Sequence, residues 1–339
     1  MDILKELKPH EKLEELRILE FLKNDDSFSG TAFPSLKYLI FEDMRCWEVW
    51  GPFESNAFPQ LETLQILRCP ILRGQLPNHL PSLVSLEIKY CEQLACCLPS
   101  APCIRELRIR NSSKVALQEM PSSLEVLRIE GSNVESIFEA ITNSNSNSQP
   151  SSSNFYSFLG DCLPSSLTQL TIFNCNKLHL PDFLPSLPLD TFTNLNQLNI
   201  YNCKNIGCVT VSQSLPKLAT FSIRGCPNVA SFPTQGLPAP NLFRFTISYC
   251  NKLESFPSHM NTLLPKLEYL HIDDCPEIES FPEGGMPPSL RTLSITNCHK
   301  LLGSPSSLPY LFGTIFITKC GDVGVQGSSP PHLPPTIDN

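Results

Sequence analysis

Charge is what this sequence has least of. Asp, Glu, Lys and Arg together make up 17% of 339 residues, against roughly 25% in ordinary soluble domains. Positive charge is the scarcer sign: 25 Lys and Arg against 33 Asp and Glu leave a net charge of −8. A chain so balanced lacks the basic footprint of a nucleic-acid binder. Only 15 glycines are present and none is followed by lysine, so the sequence contains no G-x-x-x-x-G-K-[ST] phosphate loop. No uninterrupted apolar run is long enough to span a bilayer. The opening residues, Met1 to Leu13, do not read as a basic segment followed by an apolar one, so they are not a secretory signal. No two cysteines are spaced C-x-x-C, and neither H-E-x-x-H nor G-x-S-x-G occurs. No metal, cofactor or catalytic site is read from the sequence, and an enzyme is not expected.

Proline (32) and cysteine (15) are plentiful. Proline fixes φ and cannot donate a backbone hydrogen bond, so much of the backbone must be extended or turning. The cysteines follow a pattern. Leu61, Leu64, Ile66, Cys69 and Leu72 define the frame L-x-x-L-x-I-x-x-C-x-x-L, which begins again at Leu83, Ile104, Leu124, Leu167, Leu195, Leu218, Leu242, Leu267, Leu290 and Phe312, and earlier at Leu13 and Leu36. The sixth position is isoleucine in twelve of thirteen copies, Phe41 being the exception. The ninth is cysteine in nine. Copies recur every 20 to 28 residues, with one gap of 43 between Leu124 and Leu167; the shorter interval is that of leucine-rich repeats.

Positions four and six alternate with polar neighbours, which is the period of a strand. Each copy therefore contributes one short strand, and successive strands run parallel about 4.8 Å apart. The expected architecture is an α/β-type solenoid, a leucine-rich-repeat horseshoe with a parallel β-sheet on its concave face and mostly loop and 3₁₀ returns on its convex face. In those returns, pairs such as Phe33-Pro34, Phe58-Pro59, Phe256-Pro257 and Phe281-Pro282 predict a second buried column of phenylalanines and little α-helix. Trp47 and Trp50 are expected as core pieces over the second repeat. The repeat domain is placed at residues 1–323. Within the long gap, 142–154 holds only Thr, Asn, Ser, Gln and Pro and is expected to be a disordered insertion, because it cannot offset its own ordering entropy. A Pro/Ser-rich tail, 324–339, is expected to be disordered too. With so little sequence before the first repeat, the chain is read as a fragment or a truncated relative of a protein carrying another domain.

One cysteine per repeat makes a linear ladder rather than a tetrahedral cluster. The reading is structural: a small side chain at the corner after each strand, able to hydrogen-bond a turn carbonyl. Without an export signal the compartment is taken as reducing, the thiols as free and the location as cytoplasmic. The surface then remains to carry function. The fifth and seventh positions face solvent and vary freely on a strict frame, as a binding surface requires. Lys89, Arg108, Arg110 and Arg128 read as a basic patch. Phe173, Tyr201, Arg224, Tyr249, Tyr269 and His271 add the aromatic and cationic anchors that interfaces favour. These ten residues are the candidate protein-binding set. A generic adaptor, such as a substrate receptor of a ubiquitin ligase, is the alternative, although residues 1–12 supply no F-box-like helix.

The repeat L-x-x-L-x-I-x-x-C-P-x-L, with F-P and L-P-x-x-L returns, resembles the leucine-rich-repeat region of plant coiled-coil nucleotide-binding leucine-rich-repeat (NLR) disease-resistance proteins. Phe33 through Leu39, Trp47 through Trp50 and Cys69 through Pro81 carry the likeness most closely. The resemblance implies a recognition domain of an intracellular immune receptor in plant defense. Its partners would be a pathogen effector or a guarded host protein, and the receptor's own nucleotide-binding domain, with neither nucleic acid nor membrane engaged. The nucleotide site of that family is not carried over, because its phosphate loop is missing from this sequence.

Overall fold

The computed structural model describes residues 13–19, 27–28, 33–50, 57–116, 120–130, 163–174, 186–282, 284–302 and 314–318. The expected insertion at 142–154 and the tail at 324–339 lie outside them.

The protein is a parallel-strand solenoid. Its main sheet has thirteen strands in sequence order, one per repeat and each covering positions three to seven of the frame. They are β1 (Glu15–Leu19), β2 (Tyr38–Glu42), β3 (Thr63–Leu67), β4 (Ser85–Lys89), β5 (Glu106–Arg110), β6 (Val126–Glu130), β7 (Gln169–Phe173), β8 (Gln197–Tyr201), β9 (Thr220–Arg224), β10 (Arg244–Ser248), β11 (Tyr269–Asp273), β12 (Thr292–Thr296) and β13 (Thr314–Thr318). Every pairing is parallel and in register with the repeat: Ile66 faces Ile88, Ile88 faces Ile109 and Ile223 faces Ile247. The register holds across the long gap, where Ile129 faces Ile172.

Burial explains the strict positions. Leu64, Ile66, Leu86, Ile88, Phe221, Ile223, Phe245 and Ile247 are wholly shielded from solvent. No single turn can cover its apolar face, so each repeat's leucines and isoleucines are covered by those of its neighbours. A second column closes the core from the outer side. Phe33 stacks on Phe58 at 5.9 Å and Phe256 on Phe281 at 6.0 Å. Trp47 and Trp50 are buried and both lean on Phe41, 4.5 and 5.1 Å between ring centroids, so the one phenylalanine at position six is matched by the two tryptophans. Regular helix on the outer face is confined to a 3₁₀ turn at Leu189–Phe192 and two single turns, α1 (Met260–Leu263) and α2 (His299–Leu302), among the described residues. Two short outer ribbons accompany them, Ser27–Phe28 with Val49–Trp50 and Arg73–Gly74, and Ser186–Pro188 with Cys208–Thr210.

The corner after each strand depends on position eight. Asp43, Arg68, Tyr90, Asn111, Asn174, Asn202, Gly225, Tyr249, Asp274 and Asn297 all have positive φ, between 45° and 66°. This left-handed kink turns the chain out of the strand while its N–H still donates to the next repeat: Arg68 to the Lys89 carbonyl at 2.8 Å, Asn202 to Arg224 at 2.7 Å, Gly225 to Ser248 at 2.8 Å. Position nine then points inward, and its thiol donates back to the carbonyl two residues earlier. Cys69 reaches Leu67 at 3.4 Å, Cys91 reaches Lys89 at 3.3 Å and Cys298 reaches Thr296 at 3.3 Å. Ser112, a serine at the same place, donates to Arg110 at 2.9 Å and accepts the Cys91 N–H at 3.2 Å. The cysteine ladder is therefore a column of corner donors.

Candidate functional site

On each strand, positions three, five and seven face away from the core. The concave surface thus has three columns. Position three, where Tyr269 of the candidate set stands, adds Tyr38, Glu106, Gln169, Gln197 and Arg244 to the fifth and seventh. The middle column is also less open than expected. Glu87, Asn199 and Ser222 are buried, at 5%, 6% and 7% exposure, because the flanking columns shade the one between them. Part of this floor is internally bonded: the Asn199 amide donates to the Thr171 hydroxyl at 3.1 Å.

The ten candidate residues fall into two groups. Lys89, Arg108, Arg110, Arg128, Phe173 and Tyr201 line one groove of about 530 Å³ that runs from Gln65 to Tyr201. The other four lie further along the sheet.

The groove is not the plain basic patch expected. Lys89 pairs with Glu87. Arg108 pairs with Glu106 at 2.6 Å and lies 3.8 Å from Glu87. Arg110 meets Glu130 at 2.7 Å and lies over the Tyr90 ring at 5.2 Å. The parallel register sets the acids beside the bases, since Glu87 is opposite Arg108 and Arg110 opposite Glu130. Arg128, half-buried between Arg108 and Thr171, has no carboxylate within ion-pair distance among the described residues. At the far end of the groove Phe173 and Tyr201 meet edge to face, 5.7 Å apart.

The second group stands on β9 to β11. Arg224 lies over the Tyr249 ring at 5.3 Å, and Arg244 over Tyr269 at 5.1 Å. Phe243, 40% exposed, packs against Tyr269 at 5.0 Å. Tyr249 stands at position eight, on the rim, and its backbone N–H donates to the Asp273 carbonyl at 2.8 Å. Burial raises the Asp273 carboxyl above its ordinary value, Asp274 adding to this, while His271, Arg224 and the Tyr249 side chain pull it back. Burial lowers the His271 imidazole, against Asp273 and with Arg224. Arg244 and Phe243 were absent from the sequence reading. The signal for Arg244 was position three, where it precedes a buried phenylalanine just as Tyr269 precedes a buried leucine; Phe243 stands one residue before the strand.

A further charged cluster caps the start of the sheet. Arg68 grips Asp43 through two hydrogen bonds, 2.6 and 2.8 Å, and Glu42 at 2.6 Å, while Arg17 holds the other Glu42 oxygen at 2.7 Å. These guanidinium hydrogen bonds hold both carboxyls below their ordinary values. Among the described residues no group of three or more His, Cys, Asp or Glu is placed to hold a metal ion, and no helix is long and apolar enough to cross a membrane.

A family model described as plant disease resistance protein RPS2-like leucine-rich repeats matches residues 157–276, the span that carries β7 to β11. Over that span the chain is similar to plant disease-resistance leucine-rich repeats. Three proteins of Arabidopsis thaliana, all named for disease resistance, share the likeness. RPP13-like protein 1 is 45% identical over 62 residues, 17% of this chain and 6% of the relative. At3g14460 is 37% identical over 75 residues, 22% of this chain and 5% of the relative. RF9 is 39% identical over 90 residues, 24% of this chain and 8% of the relative. The matched segments span less than a tenth of the length of each of these curated relatives.

Proposed function

We propose that the concave face of these repeats is the protein-recognition surface of a plant intracellular immune receptor. It senses a pathogen effector, or a host protein that an effector alters, and it also contacts the receptor's nucleotide-binding domain and restrains it until recognition. The reading places the protein in the cytoplasm and assigns it no catalysis. One observation carries it. Positions four and six are apolar in every copy and buried from β2 to β12, and position nine is most often cysteine, whereas positions three, five and seven change chemistry from strand to strand on the open side. A rigid frame with a freely varied face serves recognition, and the likeness to disease-resistance repeats supplies the setting.

The test exchanges the concave residues of repeats seven to thirteen, within the full-length receptor, for those of a relative with another specificity. Recognition is expected to follow the exchanged residues. Retention of the original specificity would refute the proposal. Loss of restraint without a change of specificity would assign this face to autoinhibition alone.

A further inference from the structure

The geometry points to a particular kind of partner for the groove between β3 and β8: an extended acidic segment of a protein, with one Asp or Glu side chain seated on Arg128 and an adjacent apolar side chain on the edge-to-face pair Phe173 and Tyr201. The inference rests on the recognition reading above and names the chemistry recognised at one site on that face.

The charges give the first reason. Four cations and two carboxylates line the groove, so its surface is net positive in a chain of net charge −8. Pairing uses most of that charge. Glu87 takes Lys89 and attracts Arg108, Glu106 takes Arg108, and Glu130 takes Arg110. Arg128, with no carboxylate at ion-pair distance among the described residues, stands beside the like charge of Arg108, with Thr171 opposite it on the next strand. An arriving carboxylate would complete the series. A carboxylate suits Arg128 better than a phosphate does, because a doubly charged group would meet one guanidinium while Glu87 and Glu130 line the same groove. Charge-assisted hydrogen bonds from a guanidinium are the strong ones in a half-buried setting.

Dimensions give the second reason. The groove crosses from β3 to β8, five strand spacings, or roughly 24 Å at ~4.8 Å each, which an extended segment of about seven residues would cover. Arg128 on β6 lies two strands from Tyr201 on β8 and one from Phe173 on β7. A carboxylate on Arg128 and a ring or aliphatic side chain on the aromatic pair are therefore a short step apart along such a segment. Aromatic rings at the end of a charged cleft are the usual anchors of an interface.

The test selects a displayed library of random short segments, tethered at both ends, on the full chain at physiological salt. The enriched segments are then made as peptides with blocked termini. The expected result is enrichment of Asp or Glu next to Phe, Tyr, Trp or Leu. Affinity should fall about tenfold or more in Arg128→Gln, or when the peptide's Glu is changed to Gln. Phe173→Ala and Tyr201→Ala should weaken binding independently. Arg291→Gln, a change of an exposed arginine whose partner is Glu268, should leave it unchanged. Circular dichroism of Arg128→Gln checks that the fold is intact, and Arg128→Lys keeps the charge while removing the planar fork. Selection that enriches nothing, or that enriches segments without acid, overturns the proposal. Displacement of the peptide by a random oligonucleotide but not by a second acidic peptide overturns it too. Segments that bind in Arg128→Gln but are lost in Tyr269→Ala would also overturn it, and would leave concave-face recognition standing.

Discussion

Gly225 offers a test in which the sign of the effect decides. Gly→Ala at a site whose backbone suits alanine stabilises a protein by about 0.4–1 kcal/mol, because the unfolded chain loses freedom. Gly225 lies at position eight with φ +66°, where an L residue carries a cost of roughly 1–2 kcal/mol. A Cβ there would also stand 2.0 Å from the Asn202 Oδ1 and 3.3 Å from the Asn202 Cα. Asn202 occupies the same corner in the preceding repeat, so its amide must swing aside, though its backbone need move only slightly. Gly225→Ala should therefore lower stability by about 1–2 kcal/mol. In urea denaturation followed by circular dichroism the midpoint should drop. Gly225→Asn should cost less, since asparagine tolerates this conformation and serves at four described equivalents, Asn111, Asn174, Asn202 and Asn297. In an Asn202→Gly background the steric part should vanish and the backbone part remain. A Gly225→Ala variant as stable as the parent, or more so, would refute the left-handed corner and with it the account of how each strand hands over to the next.

Four further outcomes follow from the corners and charges. Brief alkylation of the native protein should modify Cys97 and Cys103, which are exposed, and spare Cys69, Cys91, Cys96, Cys203, Cys226, Cys250, Cys275 and Cys298, which are buried; mass spectrometry after digestion reads this, and rapid labelling of the ladder would contradict it. Burial pushes the thiols of Cys96 and Cys298 up to about 12, so the native state keeps protons that the unfolded chain loses. Stability should then be unaffected by these thiols below the ordinary cysteine range and fall as pH rises from there towards 12, visible as a falling melting temperature. Cys91→Ser should cost less than about 1 kcal/mol and Cys91→Val more, because the hydroxyl can still donate to the Lys89 carbonyl as Ser112 does to Arg110, whereas valine leaves that carbonyl with the Arg68 N–H alone. Arg68→Gln should bring the carboxyls of Asp43 and Glu42 back up towards their ordinary values in an NMR titration; unchanged titration would deny the guanidinium its role.

The sheet was legible because its determinants are local and periodic. Leu64 and Ile66 mark a strand by their spacing, and thirteen such pairs in one direction leave parallel stacking as the way to cover them. The phenylalanines before proline and the two tryptophans were readable for the same reason, being apolar residues too regular or too large to lie outside. The left-handed corner was harder to see. Asp43, Asn111, Asn174, Asn202, Gly225, Asp274 and Asn297 announce it, yet Arg68, Tyr90 and Tyr249 occupy the same conformation and blur the column. The charge pattern was misread for a different reason. Lys89, Arg108, Arg110 and Arg128 look like a patch in sequence, but each cation's surroundings depend on cross-strand register and on position three, so Glu87, Glu106 and Glu130 became its neighbours only once the strands were aligned.

Alternation within a single strand puts the whole account at stake. Thr246 and Ile247 are adjacent on β10; the first is half-buried on the concave side and the second is wholly enclosed. Thermal unfolding of Thr246→Lys and Ile247→Lys, measured side by side, is the most direct test. Thr246→Lys should melt close to the parent, since its ammonium can reach water over the open face, while Ile247→Lys should lose most of the cooperative transition, since its charge would lie unpaired among stacked isoleucines. Equal losses, or the reverse order, would mean that this face is not the free one.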